Sequence, residues 1–399
     1  MGRSSGDADV IVVGGGAIGL ASAWEAARRG RSVLVLERFR VGHERGSSAG
    51  LERQWRVQYS EECWSRLALD TLPLWQGLES AAGRRLVHLT GSLWFGRVGV
   101  ATSEGELQAA ASVLERLGVR YDWVSAAEIE ARFGFARLPA DHEGFHQPDG
   151  GVIDVRGTLD ALHRLGAEAG VRVHENTRVR AVEPDGDGVT VRTEDGVHRA
   201  GAVIVNAGAF TNELLGPLGC PVDLRVFRMS SAYFDRRTDD VDLPTWYAFL
   251  EPGEAAGDGA DGADGANGSL YGFGHNPWTG SDAVRAAPDA ELRLVEPDPA
   301  VPGPPDAGHL AATAAWVGEH LPGLVPRCVR RSTCLASLPA DPGRQFYLGS
   351  LAGQVQHGER VVVQSAGWAF KFVPVFGRIC ADLALDGHSG FHVPASALR

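Results

Sequence analysis

A glycine cluster near the start restricts the fold of this sequence more than any other feature. Residues 8–14 form a short β-branched block ending in Gly14. Residues 17–29 carry helical periodicity and stop at Gly30, and residues 32–37 form a second apolar block. Between the first block and the helix stands Gly14-Gly15-Gly16-Ala17-Ile18-Gly19, a GxGxxG motif, and Glu37 closes the second block. Strand, glycine turn, helix and strand within about 30 residues make a β-α-β unit, which is the context this motif requires. Gly14 permits the tight turn, Gly16 lets a pyrophosphate approach the backbone, and Gly19 lets the helix pack on the strand. The helix N-terminus, with the amides of Ala17 and Ile18, faces the phosphate charge. Glu37 can accept hydrogen bonds from a ribose. The sequence therefore predicts a dinucleotide site, but the motif alone does not separate FAD from NAD.

Composition removes several function classes. With 399 residues the chain suits two interwoven domains or one large α/β unit, and 44% hydrophobic with 22% charged residues is ordinary globular composition. Acidic residues outnumber basic ones by 50 to 38, a net charge of -12, which argues against holding nucleic acid through overall charge. Uninterrupted apolar runs stay short of the roughly 18–20 residues that span a bilayer. Residues 1–9 are polar and lack a signal-peptide apolar region. The expectation is a soluble, cytoplasmic protein with no membrane partner. Cys63, Cys220, Cys328, Cys334 and Cys380 are odd in number and lack CxxC spacing, so neither a disulfide framework nor a metal site is expected. All but one of the 38 basic residues are arginine; the exception is Lys371. Either chance has kept it, or its place needs a compact ammonium where a planar fork will not do.

Further along, helical patterns run over 65–81 (with Pro73 inside), 106–117, 155–169 and 211–218. Strand patterns run over 86–95, 120–124, 171–173, 177–183, 188–193, 202–206, 345–348 and 360–363, with turns at 185–188 and 194–196. Residues 252–269, built mainly from Ala, Gly and Asp, read as a mobile loop, and 297–306 is proline-rich and extended. Residues 368–385 read as a closing helix. An N-terminal β-α-β unit, a hairpin-rich block ending in Val-Asn-Ala207-Gly208, and a late strand-glycine-helix segment resemble the way FAD is wrapped in flavoproteins of the glutathione-reductase type.

Seven segments carry a more specific resemblance: GGGAIG, GSSAGLERQWRVQY (46–59), TGSLWFG (90–96), QPDGGVIDVRG (147–157), VIVNAGAFTNELL (203–215), STCLASLPADPGRQFYLG (332–349) and SAGWAFKF (365–372). On these the chain resembles the flavin-dependent amine oxidases of the D-amino-acid oxidase superfamily, in the monomeric sarcosine oxidase and N-methyltryptophan oxidase branch. ERQWRVQY, LYGFGHNPW (270–278) and GWAFKFVPVFGRICADLA (367–384) are similar to the imino-acid oxidases of nikkomycin biosynthesis, which convert piperideine-2-carboxylate to picolinate. The resemblance implies an α/β fold in which a glutathione-reductase-type FAD-binding Rossmann domain is interwoven with an α+β substrate domain on a mixed or antiparallel sheet. The implied FAD-binding parts are 1–89, 147–217 and 332–399. The implied substrate parts are 90–146 and 218–331.

The resemblance also implies roles for residues. Cys334 stands where the branch carries FAD through a thioether to the flavin 8α carbon. Arg38, Ser47, Ser48, Ala207, Gly208 and Gly367 join the glycine loop and Glu37 as cofactor contacts. Arg56 is expected to clamp the substrate carboxylate opposite Lys371, with Arg53 nearby. A guanidinium suits a carboxylate because it offers two parallel hydrogen bonds. Trp368 stands where the nikkomycin-type enzyme has a tryptophan, and an indole wall suits a flat ring. Glu104 and Asp289 are candidates for hydrogen-bonding a ring N–H or moving a proton during imine–enamine tautomerisation. Sarcosine oxidase activates oxygen with a lysine; here Arg285 or Lys371 is the available cation. The implied activity is a monomeric imino or amine oxidase acting on a small molecule with O2. Rival readings are a sarcosine or N-methyl-amino-acid oxidase, a flavin-binding subunit needing a partner chain, and an NAD-dependent dehydrogenase.

Overall fold

The computed structural model describes residues 7–102, 104–239, 242–251, 269–288, 293–294, 304–341 and 344–391, with backbone only at 293–294. The N-terminal unit forms as expected: strand Ala8–Val13, helix Ala17–Ala27 and strand Val33–Leu36. Parallel pairing continues outward on both sides, to Arg172–His174 beyond Val33–Leu36 and to Val197–Val205, then Val361–Ser365, beyond Ala8–Val13. The hairpin Val179–Asp185/Gly188–Thr193 and the strand Tyr347–Ser350 add antiparallel edges, giving eight strands. Alternate side chains explain why these strands are apolar throughout. Val10, Val12, Val33, Val35 and Ile204 pack on one face with Leu20 and Ile379 of the helices. Ile11, Val13, Leu34, Leu36, Val203 and Val205 pack on the other with Val182, Val189 and Val191.

A second sheet has nine strands, antiparallel except where Ser92–Arg97 runs parallel to Thr245–Phe249. Here alternation separates two environments. Leu93, Phe95, Trp246, Ala248, Val284 and Ala286 pack with Leu310, Trp316 and Val317 of helix Ala307–His320. The residues between them, Tyr247 and Arg285, point the other way and meet the cavity described below. A third sheet, of three strands, pairs Glu52–Trp55 and Val87–His88 with Gly151–Asp154. The α/β class, with one Rossmann-type and one mixed sheet, is the expected one.

Several elements differ from the sequence reading. The expected closing helix is two elements, a 3-10 turn Ala369–Phe372 and the helix Val373–Asp386. Pro374 explains the division, since a residue without N–H fits only the first turn of a helix. Lys371 thus stands on the turn. The expected strand 86–95 is Val87–His88 and Ser92–Arg97, separated at Gly91, which has φ 83°. Helix Glu62–Ala82 runs on through Pro73, and the helix expected at 211–218 is Thr211–Leu215. The loop expected at 252–269 falls, apart from Ser269, outside the described residues, as does most of 297–306. The longest pairing, Leu224–Arg236 against Leu324–Pro339, was not expected at all.

Candidate active site

A deep cavity lies at the carboxyl ends of the parallel strands, where a crevice forms between connections that leave in different directions. Gly14, Glu37, Asn206, Gln364 and Ser365 line it from that sheet. Tyr247, Tyr271, Phe273, Met229 and Arg285 line it from the mixed sheet, and Cys334 enters from the long strand Leu324–Pro339.

The glycine loop is built as the motif requires. A Cβ on Gly14 would strike the carbonyl oxygen of Asn206, and one on Gly19 would strike the carbonyl oxygen of Gly14. A Cβ on Gly16 would meet only the Ser48 hydroxyl, at 3.1 Å. Gly14 and Gly19 therefore serve close packing, while Gly16 keeps the cavity floor clear. The N-cap residue Gly16 has no side chain to cap helix Ala17–Ala27 and the first turn carries no acid, so the helix N-terminus turns its positive dipole toward the cavity. Ala17 donates to the Ser48 hydroxyl at 3.1 Å, which fixes the adjoining loop. Glu37 accepts from the amides of Gly15 (2.6 Å) and Phe39 (2.7 Å), which aims its carboxylate. Arg38 pairs with Glu213 and lies over the Phe210 ring at 4.6 Å. The buried Asn206 side chain accepts from the Ser22 hydroxyl at 3.4 Å and meets the Cys380 thiol. A cleared floor, a helix N-terminus without an acid in its first turn and a fixed acid form a set that fits the pyrophosphate and ribose of FAD.

Ser47 donates to the Leu335 carbonyl at 2.7 Å, tying the loop after Glu37 to the strand that holds Cys334. Ala207, Gly208, Gly367, Ile18, Trp368 and Lys371 all line the cavity. Ala366 (φ 71°) and Gly367 (φ 80°) adopt successive left-handed conformations, rare for alanine, which turn the chain sharply before Trp368. Lys371 is 5% exposed; its Nζ donates to the Trp368 carbonyl at 3.1 Å, and its own carbonyl accepts from Trp75 Nε1 at 2.9 Å.

The cations divide in a way the sequence reading did not separate. Arg56 is absent from the cavity lining; it is 1% exposed and its Nη2 donates to Glu104, which does line the cavity. Burial alone would lower the Arg56 pKa, but Glu104 and Tyr59 more than reverse that, so it stays charged. Arg53 reaches the cavity, but its guanidinium donates to the carbonyls of Ser47, Ala49 and Glu52 at 2.7–2.9 Å and so organises its own loop. Arg285 is held by the Ser231 hydroxyl (3.0 Å), the Glu52 carbonyl (3.2 Å) and the Tyr271 hydroxyl (2.9 Å). Against its desolvation, Tyr271, Tyr233, Glu52 and Cys334 keep it protonated. Glu52 is itself buried, and that burial raises its pKa against the pull of Arg285 and the hydrogen bond from Asn276. Asp289 lies outside the described residues.

The sequence reading missed Tyr247, Tyr271, Phe273 and Gln54 of the lining. As aromatic or polar positions within strands they look like core or surface. Asn206 was findable, because a polar residue at the carboxyl end of an apolar strand is where a ligand sits. Among the described residues no cluster of three His, Cys, Asp or Glu is placed to hold a metal, and no helix is long and apolar enough to cross a membrane.

Comparison with known proteins places this geometry. The chain is similar to NikD, an unusual amino acid oxidase essential for nikkomycin biosynthesis. It matches the open form at 47% identity and a TM-score of 0.90, covering 98% of this chain and 97% of that one. It is 26% identical to monomeric sarcosine oxidase of Bacillus sp. (strain B-0618) over 387 residues, 95% of this chain and 92% of that protein. A Dictyostelium discoideum bifunctional amine oxidase matches at 29% identity over 98% of this chain, which spans 37% of that longer protein. A family model described as FAD dependent oxidoreductase matches residues 9–383. By sequence, fold and cavity, the chain belongs to the FAD dependent oxidoreductase family.

Proposed function

We propose that this FAD-dependent oxidoreductase of C–N bonds oxidises a cyclic imino acid, taking piperideine-2-carboxylate to picolinate in secondary-metabolite biosynthesis. The balance is four protons and four electrons removed from the ring, with two O2 reduced to two H2O2. One observation carries the reading: Trp368 and the lone lysine share a cavity with the dinucleotide loop and Cys334. The similarity to NikD supports the substrate class.

FAD, when bound, would accept the hydride equivalents and pass them to O2. The chain's own residues bind, orient and move protons. Gly14, Gly16, Gly19, Glu37, Arg38, Ser47, Ser48, Ala207, Gly208 and Gly367 would hold the cofactor, and Cys334 would carry it covalently through sulfur. Lys371 meets the substrate carboxylate. Arg56 joins it there only by leaving Glu104; otherwise it acts by holding the Glu104 carboxylate in place at the cavity wall. Glu104 accepts the ring N–H and takes up a proton during tautomerisation, a role shared with Asp289. Trp368, Tyr247 and Tyr271 bound a slot for a flat ring, and their bulk excludes water. Arg285, pinned on three sides, supplies a fixed positive charge where oxygen is reduced. The working unit is a monomer.

Anaerobic mixing of the flavin-loaded protein with piperideine-2-carboxylate and with sarcosine tests this reading. Bleaching by the cyclic imino acid, with picolinate recovered after aeration, is expected. Bleaching by sarcosine alone would replace the reading with that of an N-methyl-amino-acid oxidase.

A further inference from the structure

Lys371 does not stand alone at the cavity wall. Its Nζ lies 5.5 Å from the centre of the Tyr59 ring and 6.0 Å from that of Phe372. The same Tyr59 ring has the Arg56 guanidinium carbon 4.8 Å from its centre. Tyr59 and Phe372 stack on each other at 6.0 Å with 30° between their planes. Two cations therefore share one aromatic ring, with the single carboxylate Glu104 bound to the first of them. Tyr59 is 5% exposed and is not part of the cavity lining.

The geometry points to Tyr59 as a positioning residue for Lys371, its ring holding the ammonium against the repulsion of Arg56 and so setting how firmly Lys371 grips an anionic group in the cavity. Two positive charges that share one ring in a dry site repel, because little solvent screens them. The negative face of an aromatic ring attracts both, and the attraction grows when water is excluded. Burial pushes the phenol up, against the opposing pull of Arg56, so the ring stays neutral and acts through its π-face. Its hydroxyl meets the Arg56 guanidinium, so toward Lys371 the ring is the working part. The arrangement also accounts for the lone lysine. A compact ammonium sits beside the Tyr59 and Phe372 rings and donates to the Trp368 carbonyl, a place that suits it better than the broad fork of a guanidinium.

This inference rests on the reading that Lys371 meets a substrate carboxylate, and the experiment separates the two. Flavin-loaded protein is titrated with picolinate and with picolinamide, following the perturbation of the visible spectrum. Wild type should bind the carboxylate more tightly than the amide; equal binding would overturn the reading of Lys371 and this inference with it. Tyr59 is then replaced by phenylalanine and by mono-, di- and pentafluorinated phenylalanines, which keep the ring's shape while weakening its negative face. Flavin content and melting temperature confirm that each variant folds. Tyr59→Phe should keep picolinate affinity. Fluorination should lower it stepwise, by about ten- to thirtyfold at full substitution, while picolinamide affinity stays nearly level. A picolinate affinity indifferent to fluorination, or equal losses for both ligands, would reduce Tyr59 to a packing role and overturn the inference.

Discussion

The Arg56 guanidinium stands behind the Glu104 carboxylate and holds it at the cavity wall. Arg56 is also enclosed by the Tyr59 and Trp94 rings, 4.8 and 4.9 Å from its guanidinium carbon. Removing one member of such a pair leaves the other as an uncompensated buried charge, which costs about 3–5 kcal/mol. Glu104→Gln is therefore expected to destabilise the folded protein by about that amount, and the double variant Arg56→Met/Glu104→Gln by less. Denaturant unfolding of the flavin-loaded proteins measures both. Additive losses would show that the two residues do not act as a pair.

The sulfur of Cys334 lines the cavity and interacts electrostatically with Arg285. Acid precipitation of the purified protein should leave yellow colour in the pellet. Cys334→Ser should move that colour to the supernatant while the native variant still binds FAD. Colour that stays with the serine variant would place the attachment elsewhere.

Glycines of one motif should fail in different ways. Gly19→Ala drives a methyl into the Gly14 carbonyl and should prevent folding, seen as loss of soluble protein. Gly16→Ala meets only the Ser48 hydroxyl, at 3.1 Å. It should yield folded, pale protein with FAD affinity lowered about tenfold or more, since the methyl enters the space a phosphate would fill. A yellow, fully loaded Gly16→Ala variant would contradict the site assignment.

Glu52 gives stability a pH dependence of definite sign. Burial raises its pKa, so the folded protein keeps this proton to a higher pH than the unfolded chain does. As pH rises through the ordinary carboxylate range, near pH 4.3 and above, the unfolded state releases the proton first and the folded state loses stability. Glu52→Gln cannot ionise and still accepts from Asn276. Its stability advantage over wild type should be small near pH 4 and should widen toward about pH 8. An advantage that shrinks on the way up would mean that Arg285 and Arg53 outweigh burial.

His88 works in the opposite sense. It stacks on Trp278 with ring centres 3.6 Å apart, and burial lowers its pKa. The unfolded chain therefore takes up this proton first as pH falls through about 6.5, and stability is lost on the acid side. His88→Phe keeps a flat ring on Trp278 and removes the titration, so melting temperature should fall less between about pH 7 and pH 5.5 than in wild type. Equal slopes would assign the acid loss to His43 and His146, whose pKa values burial also lowers.

The dinucleotide half of the cavity was legible because its signals are local. Six residues carry the turn, and Glu37 follows at the end of the next strand. The substrate half depends on pairings distant in sequence. Met229 and Cys334 are neighbours across two strands a hundred residues apart, and nothing in either strand announces the other. Arg53 and Arg56 show a subtler limit. Arg53 lies within the strand Glu52–Trp55 and Arg56 just beyond its end, where the chain turns its side chain into the core. Arg53 meets the cavity and Arg56 does not. Lys371 could be singled out by rarity, but its cage could not, because Tyr59 and Phe372 come from opposite ends of the chain.

Helix Val373–Asp386 lies directly against helix Ala17–Ala27: a Cβ on Gly377 would come within 2.5 Å of Ala21, and Arg378 pairs with both Glu25 and Asp382. The helix that follows the glycine loop is thus braced along its middle and far end by a segment more than three hundred residues further along the sequence. Flavin capture should consequently require helix Val373–Asp386, and a protein truncated after Phe372 should neither take up colour nor resist proteolysis.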